Sequence, residues 1–253
     1  MGENDRSRET RSGRKPERKV AVDLFERSVA RDGRPQELDE RLFMQLQVFT
    51  GCRRIDPVLE AVRECGFPCV LYQDVNDPRG LGFLAMSTDP AHFVTRVRDL
   101  LSSDPFQALR HRPDFSMLGR SYATGHEPDL RDWLLEKPRR TVLAPDQPWA
   151  LWYPLRRTGA FAVLPEAERN QILVEHARIG MAYGQAGLAH DVRLACHGLD
   201  AHDNEFIIGL IGRRLHPLSH VVQTMRRTRQ TSQFIRSMGP FFVGHTLWQS
   251  PAG

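Results

Sequence analysis

One order of elements can be read twice along this sequence, and that repetition restricts the fold more than any other feature. In the first half, Leu42, Met44, Leu46 and Val48 alternate with polar neighbours, as a half-buried strand requires. Asp56-Pro57 opens a helix carrying Val58, Leu59, Ala61 and Val62, with proline in its first turn. Strands at Cys69–Tyr72 and Leu81–Met86 flank the turn signal Asn76-Asp77-Pro78-Arg79-Gly80. Asp89-Pro90 opens a second helix through Leu101, and Ser116–Arg120 is a last strand. The order is β-α-β-β-α-β, that of a ferredoxin-like unit.

The second half repeats it. The aromatic strand Trp149–Arg157 is followed by a helix over Pro165–Tyr183, then strands at Val192–Cys196 and Phe206–Ile211. His216-Pro217 starts another helix, and Phe241–Gly244 is the closing strand. Gly82–Met86 before Asp89-Pro90 matches Phe206–Ile211 before His216-Pro217, and Met117-Leu118-Gly119-Arg120 matches Phe242-Val243-Gly244-His245. The expected fold class is therefore α+β, with two ferredoxin-like units at 39–124 and 149–253. A proline-rich connection at 125–148 links them, with Trp133, Leu134 and Leu135 marking a packed helical piece; long connections of this kind often line a pocket. Residues 1–38 are expected to be a disordered basic tail, with a helical turn around Val20–Ala30.

Of the net charge of +4, the first 20 residues supply +3, from seven Lys/Arg and four Asp/Glu. The rest is close to neutral, so a nucleic-acid partner is not expected. No apolar run reaches the roughly 18–20 residues of a membrane span, and the polar start has no secretory core. A cytoplasmic location is expected. Cys52, Cys65, Cys69 and Cys196 form no CxxC pair and read as reduced, packed thiols.

Three groups carry possible chemistry. Ile172, His176, Ile179 and Tyr183 share one helical face, so the His176 imidazole points where apolar groups point. By spacing alone that describes a core histidine better than a ligand, although a neutral imidazole on an apolar wall is also what an axial iron ligand requires. Strand alternation turns Tyr153 and Arg157 to one side and Arg156 to the other, giving a phenol and a carboxylate-holding fork on one face. Arg226 is one of three arginines near a helix end. No P-loop, GxGxxG, HExxH or GxSxG pattern occurs.

These residues resemble the chlorite dismutase-like haem proteins, which include the coproheme decarboxylases. The likeness rests on Trp152-Tyr153-Pro154-Leu155-Arg156-Arg157, Leu164-Pro165 before His176-Ala177-Arg178-Ile179-Gly180, Gly198-Leu199-Asp200, and Met225-Arg226 leading to Gly239-Pro240-Phe241-Phe242-Val243-Gly244. It implies a dimeric α+β barrel of two ferredoxin-like units, assembled into homo-oligomers that are commonly pentameric rings. It implies haem b or coproheme as the iron porphyrin, and hydrogen peroxide as co-substrate. His176 becomes the proximal iron ligand, and Tyr153 the tyrosine that is oxidised to a radical. Arg157, Arg226 and Thr231 become contacts to propionates or supports of the proximal side. The implied activity is peroxide-dependent decarboxylation of coproheme to haem b, ending a route of haem biosynthesis. A haem b peroxidase, a haem-binding protein without turnover and a scaffold that has lost haem are the alternatives. The sequence departs from the family where chlorite-splitting members carry an arginine above the iron. Ala189 stands there, followed by His190 and Asp191, which disfavours chlorite chemistry. Arg193 reads as too far along to substitute, leaving His190 as the candidate distal group.

Overall fold

In the computed structural model, which describes residues 21–251, the chain opens with a hairpin of β1 (Glu26–Val29) and β2 (Pro35–Leu38). The first repeat runs β3 (Phe43–Thr50), α1 (Asp56–Glu64), β4 (Cys69–Asp74), β5 (Leu81–Ser87), α2 (Arg96–Leu101), α3 (Asp104–Gln107), the two-residue β6 (Arg110–His111) and β7 (Met117–Ser121). A π-helical turn at Asp132–Glu136 leads into α4 (Lys137–Val142). The second repeat runs β8 (Trp149–Arg157), α5 (Gly159–Ala162), α6 (Glu166–Gln185), β9 (His190–Ala195), β10 (Phe206–Gly212), α7 (Leu215–Met225), α8 (Arg229–Phe234), β11 (Ile235–Met238) and β12 (Phe242–Gln249).

Strand order identifies both repeats as ferredoxin-like units. The first sheet is ordered β7-β3-β5-β4 and the second β12-β8-β10-β9, so each places its own strands fourth, first, third, second. The outer strands then join across units, β7 with β9 and β4 with β12, every pairing antiparallel. The eight strands close on themselves and leave no free sheet edge in the ring, which removes the hazard of unpaired backbone groups. The expected α+β barrel of two ferredoxin-like units is what the chain forms.

Alternation along each strand sorts side chains between the inside and outside of the barrel. Met44, Leu46, Tyr72, Leu84, Trp152, Val192, Leu194, Ile207 and Phe242 fill the interior in one cluster. Leu130, Leu134, Leu135, Val142 and Leu143 belong to the same cluster, so the 125–148 connection contributes to the barrel core as well as to the surface. Large aromatics fit only because glycines lie opposite them. A Cβ at Gly209 would come 2.6 Å from the Trp152 ring, and one at Gly82 would come 2.4 Å from the Phe242 ring. Outside the barrel, α1, α2 and α3 cover the first sheet through Val58, Val62, Val97 and Phe106. α6 and α7 flank the outer face of the second sheet.

Two expectations need correction. Within the supposed tail, residues 26–38 form the β1–β2 hairpin rather than a helical turn or a disordered lead-in; residues 1–20 lie outside the described residues. Gly33, at φ +85°, makes the tight turn that a residue with a Cβ would resist, and the Ala30 amide closes it onto the Arg34 carbonyl at 2.8 Å. Glu26 then anchors the hairpin, accepting from the Ala123 amide at 3.1 Å and pairing with Arg41 at 3.3 Å. The helix expected from Asp89 to Leu101 is also broken. Pro90–Val94 is a 3-10 turn capped by the Asp89 carboxylate, and Thr95 leaves helical geometry before α2 begins.

Candidate functional site

α6 has 20 residues, yet only Ile172 among them is fully buried. A helix lying directly on a sheet would bury a continuous stripe. Here the inward face of His176, Ile179 and Tyr183 is only half-buried, with Ile179 and Tyr183 packed against the cluster on the sheet's outer face. α8 ties α6 in place from the side: the Arg229 amide donates to Glu175 at 3.1 Å, and the Arg229 guanidinium pairs with Glu168 at 2.5 Å.

His176 occupies the middle of that face. Its Nδ1 lies 3.4 Å from Thr228 Oγ1, a long hydrogen bond. The Thr228 hydroxyl donates its own proton to the Met225 carbonyl at 2.8 Å, so it meets the imidazole as an acceptor. This network assigns the proton to Nδ1 and leaves the Nε2 lone pair available. Burial holds the imidazole below its usual pKa, with Arg193 adding to the effect and Asp191 and Glu175 opposing it. A neutral ring with a free nitrogen can ligate a metal or accept a proton. Among the described residues, no group of three or more His, Cys, Asp or Glu is placed to hold a metal ion. An ion at His176 would need its other ligands from a small molecule.

The sheet beneath supplies the opposing wall. In register, Ile208 pairs with Tyr153 on one side and Arg193 on the other, so Arg193, Ile208 and Tyr153 form one row on the outer face. Two strand spacings separate the ends of the row, roughly 10 Å. Tyr153 is 6% exposed and stacks on Phe241, with centroids 4.4 Å apart and planes at 22°. Burial pushes its phenol well above the usual range; Asp191 adds to this and Arg226 opposes it. The group therefore keeps its proton at neutral pH. Ile179, Tyr183, Ile208, Met225, Met238 and Phe241 are partly buried around the same cluster, an apolar lining that still has accessible surface.

Arg157 shares the outer face with Tyr153. Its Nε donates to Glu205 at 2.9 Å, and its guanidinium lies between the rings of Phe161 and Phe206, 4.5 and 4.6 Å from their centroids. Arg226 caps the end of α7, exposed, and Thr231 lies in the first turn of α8 beside Thr228. His190 is corrected. Its partner across the ladder is Ile211, an interior residue, and its phase matches interior Val192 and Leu194. The side chain is thus on the opposite face of β9 from Arg193 and does not join His176 and Tyr153.

Arg193, which reads from the sequence as too far along to substitute, lies with Asp191 on the outer face instead. Asp191 and Arg193 pair at 3.0 Å on the outer face, and both act electrostatically on His176. Arg193 and Lys137 both lie over the Trp133 ring, 5.0 and 3.7 Å from its centroid. Alternation of Val192 and Leu194 was the available signal, since it turns Asp191 and Arg193 to the side opposite the core.

Residues 134–247 match the sequence model of the family described as chlorite dismutase. No curated protein sequence matches the chain. Among solved structures, a heme-binding protein from Thermus thermophilus is similar, with 20% identity and a TM-score of 0.66 over 83% of this chain and 92% of that one. A chlorite dismutase variant from Candidatus Nitrospira defluvii, in complex with cyanide, is 16% identical with a TM-score of 0.62, over 83% of this chain and 91% of that one. Residues 134–247 thus carry the sequence pattern of the chlorite dismutase family, and both repeats share the fold of these solved structures.

Proposed function

We propose that the chain binds an iron porphyrin between α6 and the outer face of the second sheet, and decarboxylates ferric coproheme to haem b with hydrogen peroxide. The observation that carries this reading is His176, whose Nδ1 is engaged by Thr228 while Nε2 has no hydrogen-bond partner among the described residues, on a half-buried helix face turned to an apolar sheet face. The residues fit the group: one imidazole for the iron, a partly accessible apolar lining for the macrocycle, and cations around it for carboxylates.

Bound iron and peroxide supply the oxidising equivalents. Everything else is positioning by this chain. Tyr153, kept protonated by burial, gives up a hydrogen atom and recovers one from the propionate β-carbon, the methylene attached to the ring. For each propionate the balance is one carboxylate, one hydrogen peroxide and one proton, giving a vinyl group, carbon dioxide and two waters. Arg157 is oriented through Nε by Glu205, which leaves its terminal nitrogens for a porphyrin carboxylate; Arg226 and Thr231 serve the same purpose from α7 and α8. Arg193 replaces His190 as the charged group on the sheet side, where it can polarise peroxide.

The test is conversion of ferric coproheme to haem b by the purified chain with peroxide. Tyr153→Phe should bind coproheme and leave both propionates intact; unchanged turnover removes Tyr153 from the chemistry. The second reading, haem binding without turnover, is supported by the similarity to the heme-binding protein from Thermus thermophilus. It would give a tight porphyrin complex that ignores peroxide.

A further inference from the structure

Away from the porphyrin site, the first repeat places two thiols against each other. Cys65 ends α1 and Cys69 opens β4, and the Gly66-Phe67-Pro68 turn between them, with Gly66 at φ +67°, folds the chain back on itself. The two Sγ atoms lie 3.5 Å apart as free thiols. The turn is held from both sides. Arg96 donates to the carbonyls of Cys65 and Gly66 at 3.1 and 3.2 Å and lies over the Phe67 ring at 5.3 Å. Ser250, from the far end of the chain, accepts from the Cys69 amide at 3.0 Å and donates to the Phe67 carbonyl at 3.3 Å.

The two sulfurs are chemically unequal. Cys65 is partly accessible, while Cys69 is fully buried. The hydrogen bond from Cys69 lowers the Cys65 pKa to about 7, with the Arg96 charge assisting against burial. The Cys69 thiol is pushed up by its neighbour and by burial. An accessible thiolate beside a buried thiol is the arrangement of an attacking and a resolving cysteine.

We propose that Cys65 and Cys69 are a peroxide-reactive dithiol that closes reversibly to a disulfide. The Cys65 thiolate attacks one oxygen of a hydroperoxide, breaking the O–O bond, forming a sulfenic acid and releasing hydroxide. Cys69 Sγ then attacks the sulfenic sulfur; the S–S bond forms as the S–O bond breaks, and the departing hydroxide takes the Cys69 proton to leave as water. The sum is two thiols and one hydrogen peroxide giving one disulfide and two waters. The sulfurs need only close from 3.5 Å to about 2.05 Å, within reach of side-chain rotation on a five-residue turn. This inference stands independently of the porphyrin reading.

The test treats the full chain with substoichiometric to equimolar hydrogen peroxide, quenches with an alkylating agent and maps the peptides. The expected result is a peptide containing both residues, unalkylated and lighter by about 2 Da than its reduced form, restored by dithiothreitol. Cys69→Ser should stop at a sulfenic acid on Cys65 that a dimedone probe traps, and Cys65→Ser should form no disulfide. Cys65 alkylation in the untreated chain should rise with a midpoint near pH 7, a readout that survives if either variant fails to fold. A cross-link to Cys52 or Cys196 instead would overturn the proposal. So would Cys65 that stays alkylatable after peroxide, or that passes to sulfinic acid while Cys69 remains free.

Discussion

Replacing Arg157 with alanine removes a clasp whose parts can be added up. The guanidinium lies between Phe161 and Phe206 and pairs with Glu205, with the two charged side chains only 19% and 28% exposed. Two partly desolvated cation–π contacts contribute about 0.5–1 kcal/mol each. The ion pair, discounted for partial screening, adds about 1 kcal/mol. The sum is about 2–3 kcal/mol, which for a chain of this length corresponds to a fall in Tm of about 4–12 °C. Calorimetry on Arg157→Ala, Glu205→Gln and the double variant measures it, and the cycle should return a coupling of about 1 kcal/mol. Arg157→Lys should fall between wild type and alanine, because a lysine keeps the charge but not the planar face. A melting point within about 1 °C of wild type for Arg157→Ala, or strict additivity in the cycle, would refute the clasp. If the terminal nitrogens of Arg157 also hold a porphyrin carboxylate, the same variant loses coproheme affinity beyond its loss of stability, which Glu205→Gln would reproduce only weakly.

Other expectations concern the site and the barrel. The folded chain holds His176 below its unfolded value of 6.5, as it does His92 and His111, so the unfolded state takes up protons first. Stability should therefore fall as pH drops below about 6.5, read as a lower urea midpoint at about pH 5.5 than at about pH 7.5, and His176→Gln should reduce that slope. Arg193→Ala should raise the His176 pKa in an NMR titration, because it removes a cation, whereas an unmoved His176 pKa would place Arg193 outside the site. His190→Ala should leave porphyrin binding unchanged, and a loss of binding there would contradict the phase assigned to β9. Gly209→Ala should cost about 1–3 kcal/mol by driving a methyl group into Trp152, visible as a lower denaturation midpoint.

Much of the architecture was legible because it depends on local periodicity. Leu42, Met44, Leu46 and Val48 alternate as β3 requires, and the Asp56-Pro57 and His216-Pro217 starts fall where α1 and α7 begin. The β1–β2 hairpin was not legible, since its strands are polar and its order comes from Glu26 and Gln36 reaching residues near 123–130. How the two repeats join was equally hidden: pairing β7 with β9 and β4 with β12 depends on long-range register that no local pattern encodes. At the candidate site, the shared face of His176, Ile179 and Tyr183 and the outward turn of Tyr153 were readable from helical spacing and strand alternation. Strand phase along Val192 and Leu194, rather than distance along the chain, turns Arg193 outward and His190 inward. The Thr228 contact to His176 Nδ1 joins two segments distant in sequence, and only the fold brings them together.

The claim on which the functional reading depends is that His176 Nε2 binds the iron of a porphyrin lying against the Arg193–Ile208–Tyr153 row. Absorption titration of ferric coproheme into the wild-type chain and into folded His176→Ala tests it most directly. The expected result is a saturable shift of the Soret band with the wild type and its loss or displacement with the variant. A flat titration with the wild type, or identical spectra for the two proteins, would contradict it.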